Sequence, residues 1–208
     1  MQVIYSGKTK ASQSRDFKFL SGFCVAQNPK HWSNEIESLK LIEEIISPYV
    51  TKKREELKLP TDQKALLVWD VFRGQMTDKV KEQLDELNIE CVYVPANMMH
   101  FFQPLDLTVN GCAKQRMRKE FVTYYLSAVK QQLDSGKQLE DIEVDFHLLV
   151  LKPLHAKWLV ELFNSFTSTR DKEVIARRWK KSEIVGLLDG TTILPPEDPF
   201  HEIMILSY

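Results

Sequence analysis

Cysteine is scarce in this chain: 208 residues carry only Cys24, Cys91 and Cys112, far apart and with no Cys-x-x-Cys pair among them. An odd, dispersed set excludes a disulfide framework and reads as reduced core thiols of an intracellular protein. The five histidines (His31, His100, His147, His155 and His201) show no zinc-ligand spacing. A structural zinc site is thereby excluded, and any metal has to be an oxygen-liking one. No apolar run is long enough to cross a bilayer, so no membrane partner is expected. The segment Met1 to Lys8 lacks the basic stretch followed by an apolar one that marks a secretory signal.

What is present is an ordinary globular composition, 43% hydrophobic and 27% charged, enough for one domain with a sizeable core and a helical tail. The net charge of -1 hides a local asymmetry. Between Leu107 and Glu120, Lys114, Arg116, Arg118 and Lys119 face only Glu120, and from Arg170 to Lys181 six basic residues face Asp171 and Glu173. An acidic stretch, Asp134 to Asp145, separates the two clusters. Such patches suit a polyanion rather than a small-molecule substrate.

No internal repeat is visible. Gln2 to Ser6 reads as a short strand turning at Gly7, and Phe17 to Ala26, rich in aromatic and β-branched residues, as a second. Asn34 followed by Glu37 forms a capping box, with Leu39, Ile42, Ile45, Ile46 and Tyr49 continuing at helical spacing until Pro48 kinks or interrupts the helix. The apolar run from Ala65 to Trp69, a helix over about 77–87 and the run from Ile89 to Val94 make a βαβ unit with parallel strands. A loop over 95–105 then leads to Asp106 and a long helix reaching about Leu133, with Gly111 a weak spot near its start. Further helices are expected over 155–166 and 171–180, and an extended tail over 194–199. The implied division is a domain over 1–133, a helical extension over 134–190 and a tail over 191–208.

Two aspartates stand where chemistry is expected. Asp70 ends the first strand of the βαβ unit, at the carboxyl edge where α/β sheets bind ligands, and Asp106 follows the loop leaving the second strand at that same edge. Two converging carboxylates repel one another unless a divalent cation lies between them, and oxygen-only ligation suits Mg²⁺ or Mn²⁺. Such ions clamp the attacking and leaving oxygens of a phosphodiester. The plainer readings are that Asp106 is a helix N-cap and that Asp70 caps a loop. Lys114, Arg118 and Lys119, with Arg116 beside them, are candidates for phosphate contact or a solvated helix face. In Arg177-Arg178-Trp179-Lys180-Lys181 the tryptophan reads as core and the cations either bind nucleic acid or form its wet side. His31-Trp32 reads as packing over the first helix, or as a binding loop. His100 reads as structural, and Cys91, alternating within a strand, is a poor nucleophile.

The ordered segments Met1 to Thr9, His31-Trp32-Ser33-Asn34, Leu66-Leu67-Val68-Trp69-Asp70 and Phe102-Gln103-Pro104-Leu105-Asp106 resemble the catalytic domain of pogo/Tigger-type DDE transposases. The later run Val174 to Ile184 is similar to the helix that follows that domain. The resemblance implies an RNase H-like α/β fold, with a mixed five-stranded sheet flanked by helices and a C-terminal helical extension. It also implies three acidic residues holding two Mg²⁺ or Mn²⁺ ions for DNA strand cleavage and transfer, and a nuclear location. By that match Asp70 and Asp106 are the second and third acids. The first is expected on a strand upstream of Gln2, and Asp16 cannot replace it by position. The catalytic set is therefore expected to be incomplete, with any metal held weakly. After Asp70 the family often carries an Asn-rich turn ending in His, where this chain has Val71-Phe72-Arg73-Gly74-Gln75. The expected function is a transposase-derived endonuclease domain that binds DNA. The alternatives are a non-catalytic DNA-binding or protein-interaction module and, more remotely, a phosphatase-like enzyme with Asp70 as nucleophile.

Overall fold

The computed structural model describes residues 1–14, 17–94, 109–166 and 168–181, with 170, 178, 180 and 181 described by backbone alone. It is a mixed α/β protein that divides into two compact units, each assembled from separated stretches of chain. One holds Met1–Trp32 with Asn110–Asp171, and the other holds Ser33–Val109 with the chain from Lys172 onward.

In the first unit, β1 (Gln2–Ser6) pairs in parallel with β2 (Cys24–Asn28), Gln2 opposite Cys24 and Ser6 opposite Asn28. The second strand starts later than the aromatic content of 17–26 implies. Gly22, at φ +90°, makes a turn, and the rings ahead of it cluster rather than alternate: Phe17 on Phe19 at 5.2 Å, Phe19 on Phe23 at 5.2 Å, and Phe23 on Phe163 at 4.9 Å. Val3, Tyr5, Cys24 and Ala26 are buried, as are Ala156, Trp158 and Leu162 of the same unit.

The second unit begins with α1 (Glu35–Leu41), capped as its sequence foretells, the Glu37 N–H donating to Asn34 Oδ1 at 3.0 Å. A single π turn (Ile42–Ile46) then leads into α2 (Ser47–Glu56), with Pro48 in its first turn. The interruption thus falls just ahead of the proline. Pro48 has no N–H to give back and its ring crowds the carbonyl four residues earlier, so the ladder widens upstream. Next come β3 (Ala65–Asp70), α3 (Asp78–Glu86) and β4 (Ile89–Val94). The two strands are parallel, with Ala65 opposite Ile89 and Asp70 opposite Val94, as the βαβ reading requires. Ile42, Val80, Leu84 and Ile89 form the buried core, flanked by Leu67, Trp69 and Cys91. β3 is only half-buried and Leu66 is exposed, because a two-stranded sheet has one covered face.

Three helices follow: α4 (Asn110–Asp134), α5 (Leu148–Ser165) and α6 (Thr169–Lys181). α5 starts seven residues before the expected 155. Pro153 lies within its second turn, where one missing N–H is tolerated near a solvent-facing end, and the His147 N–H is satisfied by Asp145 Oδ1 at 2.8 Å. The described strands form two parallel pairs and no larger sheet. Asp16, the loop over 95–105 and the tail lie outside the described residues.

Candidate functional site

Parallel pairing puts the carboxyl ends of β3 and β4 side by side, so Asp70 emerges at a strand edge directly opposite Val94. Its own side chain is half-buried, while Val94 is fully buried beneath the edge. The chain then turns sharply through a 3-10 segment (Arg73–Gln75), closed by the Gln75 N–H donating to the Phe72 carbonyl at 2.8 Å.

Gln75 braces this turn against the strand it has just left. With its amide oriented to satisfy both neighbours, Gln75 accepts from the Trp69 indole N–H at 2.8 Å and donates to the Asp70 carbonyl at 3.0 Å. Tyr93, one residue before the end of β4, donates its hydroxyl to the Gln75 carbonyl at 2.7 Å. Gly74 makes the close approach possible: a Cβ there would lie 2.6 Å from Asn34 Cα, so the turn is laid directly on the cap of α1. These residues carry no charge and match no ligand pattern, which is why inspection of the sequence passes over them. The available signal was a glycine in a five-residue turn facing a tyrosine two residues beyond Cys91.

Burial raises the proton affinity of both groups beside the turn. The Cys91 thiol is pushed up to about 11, and burial together with the adjacent thiol raises the Tyr93 phenol well above its ordinary value. Cys91 is therefore a neutral thiol at physiological pH, in line with its reading as a poor nucleophile.

Asp70 offers one hard oxygen donor of the kind Mg²⁺ and Mn²⁺ take. Among the described residues no three His, Cys, Asp or Glu side chains gather closely enough to hold an ion, so these side chains do not by themselves form a metal site. Asp106 and His100 lie outside the described residues, and with them the convergence expected of the two aspartates.

The four cations of α4 separate into two kinds. Lys114, Arg118 and Lys119 are exposed. Arg116 is instead half-buried, its guanidinium contacting Asp171 Oδ2 at 2.9 Å and Oδ1 at 3.2 Å, donating to Ser165 Oγ, and lying 5.5 Å from the Phe166 ring centre. Its charge is already matched by the Asp171 carboxylate, whose two oxygens share the one nitrogen Nη2 while Nη1 goes to Ser165. On α6, Arg177 is exposed and its Nε donates to the Glu173 carbonyl at 3.3 Å, while the Arg178 side chain lies outside the description. Trp179 keeps 38% of its surface exposed, contrary to its reading as core: it stands near the end of α6, a turn beyond the half-buried pair Val174 and Ile175. Trp32 is likewise 62% exposed, with its carbonyl accepting from Asn28 Nδ2 at 2.6 Å.

Residues 5–146 match the family described as DDE superfamily endonuclease. A human protein described as "Pogo transposable element with KRAB domain" is 25% identical over 130 residues, which are 61% of this chain and 19% of that protein. The chain therefore spans about a fifth of that relative's length. No solved structure matches it.

Proposed function

The chain belongs to the DDE superfamily endonuclease family, and from that premise we propose that it is a transposase-derived domain that binds DNA, with Asp70 and Asp106 as two carboxylates of a strand-cleaving centre. In this reading the fold is RNase H-like over 1–133, followed by the helical extension, and the protein works in the nucleus. The observation that carries it is the family match itself, which spans Asp70, the loop to Asp106 and the basic start of α4 in one stretch.

Asp70 contributes by position. It ends a strand whose register and following turn are both held by hydrogen bonds, so its backbone has little freedom to withdraw from the edge. Asp70 and Asp106 would hold a Mg²⁺ or Mn²⁺ ion, which when bound supplies Lewis-acid activation of a phosphodiester. Lys114, Arg118 and Lys119 meet phosphates, with Arg177 and Arg178 as a second basic group. Arg116 lies on the other side of the helix from Lys114 and Arg118 and acts as a strut, because Asp171 already neutralises it. The cleavage reading requires that a supercoiled plasmid incubated with Mn²⁺ be nicked by the chain and left intact by Asp70→Asn of unchanged circular dichroism; equal rates for the two would overturn it.

A second reading is a DNA-binding module without catalysis, which the exposed cations Lys114, Arg118 and Lys119 at the start of α4 would serve without any metal. That reading expects salt-sensitive DNA binding unaltered by metal or by Asp106→Asn. Binding that requires Mg²⁺ would rule it out.

A further inference from the structure

The loop Pro29-Lys30-His31-Trp32 leaves the carboxyl end of β2 with its largest side chain in water. Trp32 is the more exposed of two neighbouring rings, the His31 ring lying 6.3 Å away and exposed as well. Asn28, the last residue of β2, fixes this loop. Its Oδ1 accepts from the Lys30 N–H at 3.1 Å, its Nδ2 donates to the Trp32 carbonyl at 2.6 Å, and its own carbonyl accepts from the His31 N–H at 3.2 Å. His31 takes φ +49°, an uncommon conformation for a residue with a side chain. An indole shown to water by a fixed loop forgoes the stabilisation that burial would bring.

Parallel pairing puts the end of β1 on the same edge, with Ser6 opposite Asn28 and the Gly7 N–H donating to the Asn28 carbonyl at 2.9 Å. Lys8 and Lys30 each stand two residues beyond that pair, and Lys10 opens the 3-10 turn (Lys10–Ser12) that follows β1. All three are exposed, and none forms an ion pair among the described residues. From α5, Lys152 donates to the Ser12 carbonyl and lies 5.9 Å from the centre of the Tyr5 ring, adding a fourth cation beside the turn.

Acids are scarce here. Residues 1–34 carry five basic residues against Asp16 alone. Glu35, next in the chain, is held by Lys79 at 3.3 Å, and Glu161 of α5 faces Lys157 at 3.9 Å. Glu143 and Asp145 are tied along α4, their carbonyls accepting from Gln132 and Tyr124. The basic start of α4 is a separate place: Arg116 meets α5 at Ser165, about 20 Å along that helix from Lys152.

We infer that the carboxyl edge of the β1–β2 pair is a platform for an unpaired stretch of DNA, one base stacking on Trp32 and the flanking phosphates meeting Lys8, Lys10 and Lys30. Carboxyl edges of parallel strands are where α/β sheets take ligands, and an exposed indole among uncompensated cations matches the π face and the phosphates of a single strand. In a duplex the bases stack on one another and leave the indole no face. A lipid surface would meet the same cations, but the loop offers it a single apolar tip between lysine and histidine. The inference rests on the DNA-binding reading and adds to it a site for single strands apart from the cations of α4.

The test follows a fluorescein-labelled thymidine oligonucleotide of about 15 residues by anisotropy on the full chain, beside a duplex of equal length. Single-strand affinity is expected to fall about tenfold in Trp32→Ala and to stay within about threefold in Trp32→Phe, with duplex affinity within about twofold throughout. Replacing Lys8, Lys10 and Lys30 together by alanine should make the single-strand salt slope shallower by about 2. Unchanged single-strand affinity in Trp32→Ala, an equal loss on the duplex, or no single-strand binding at about 100 µM by a chain that binds the duplex overturns the inference and leaves the DNA-binding reading standing. A chain that binds neither DNA overturns both. Anionic phospholipid vesicles bound more tightly than the strand, and released by Trp32→Ala, overturn the inference too, since the platform would then belong to a lipid surface. Should Trp32→Ala lose its native circular dichroism, the lysine variant decides.

Discussion

Asp70 stands at the end of a braced strand, and what surrounds it is more specific than the aspartate itself. Gly74 has no room for a side chain against the Asn34 backbone, so Gly74→Ala has to displace the turn or the cap of α1. A loss of about 1–3 kcal/mol is expected from such overpacking, read as a lower denaturation midpoint, and an unchanged midpoint would mean that the turn yields freely. Tyr93→Phe removes only the hydroxyl that holds the Gln75 carbonyl and should cost about 1 kcal/mol. His155 supplies a pH dependence. It is half-buried, 6.5 Å from the Tyr5 ring, and desolvation lowers its pKa below the ordinary 6.5. The folded state thus binds its proton less readily than the unfolded one. The resulting stability is present above pH 6.5 and is lost as pH falls through the depressed value. Urea midpoints measured from pH 7.5 downward should therefore fall more steeply in the parent than in His155→Gln; parallel curves would remove His155 as the cause.

The elements are held by contacts of two ranges. Within α1, the Asn34 cap and the apolar spacing are local, and both were legible in the sequence. The end of α2 depends on distant chain: Arg54 donates from Nε to the Gln63 carbonyl at 2.8 Å and from one terminal nitrogen to the carbonyls of Leu87 at 3.0 Å and Asn88 at 3.1 Å. One guanidinium thereby joins α2 to the turn that sets β4 beside β3. Arg54→Ala is expected to cost about 1–2 kcal/mol, allowing for its partial exposure, with Arg54→Lys recovering little because a point charge cannot span three carbonyls. The check is a denaturation midpoint followed by tryptophan fluorescence, and equal midpoints for all three proteins would show that the turn stands without Arg54. The displaced start of α5 teaches the converse lesson. Pro153 reads as a breaker when only neighbours are considered, yet Ala156, Trp158 and Leu162 are buried further along the helix, and their packing outweighs one lost bond.

For the whole molecule, a net charge of -1 would suggest indifference to DNA, whereas the distribution of charge does not. If Lys114, Arg118 and Lys119 are the phosphate contacts, the logarithm of DNA affinity should fall with the logarithm of salt at a slope of about -3. The triple alanine variant should bind more weakly with a slope shallower by about 3, leaving only what Arg177 and Arg178 contribute, and an unchanged slope would move the contact elsewhere. The sequence by itself determined the features that neighbouring residues decide: the capped helix, the parallel βαβ unit with Asp70 at its edge, the basic start of α4 and the ordered segments that resemble the DDE family. Each depends on periodicity, capping chemistry or a short motif, all written within about thirty residues. Only the tertiary structure decided that Arg116 is spent on Asp171, 55 residues away, while its neighbours stay open. It likewise decided that Gly74 must be a glycine and that Trp32 and Trp179 are exposed. The physical reason is the same in each case: charge pairing, close backbone approach and burial are set by partners brought from elsewhere in the chain, and no local pattern records which partner will arrive.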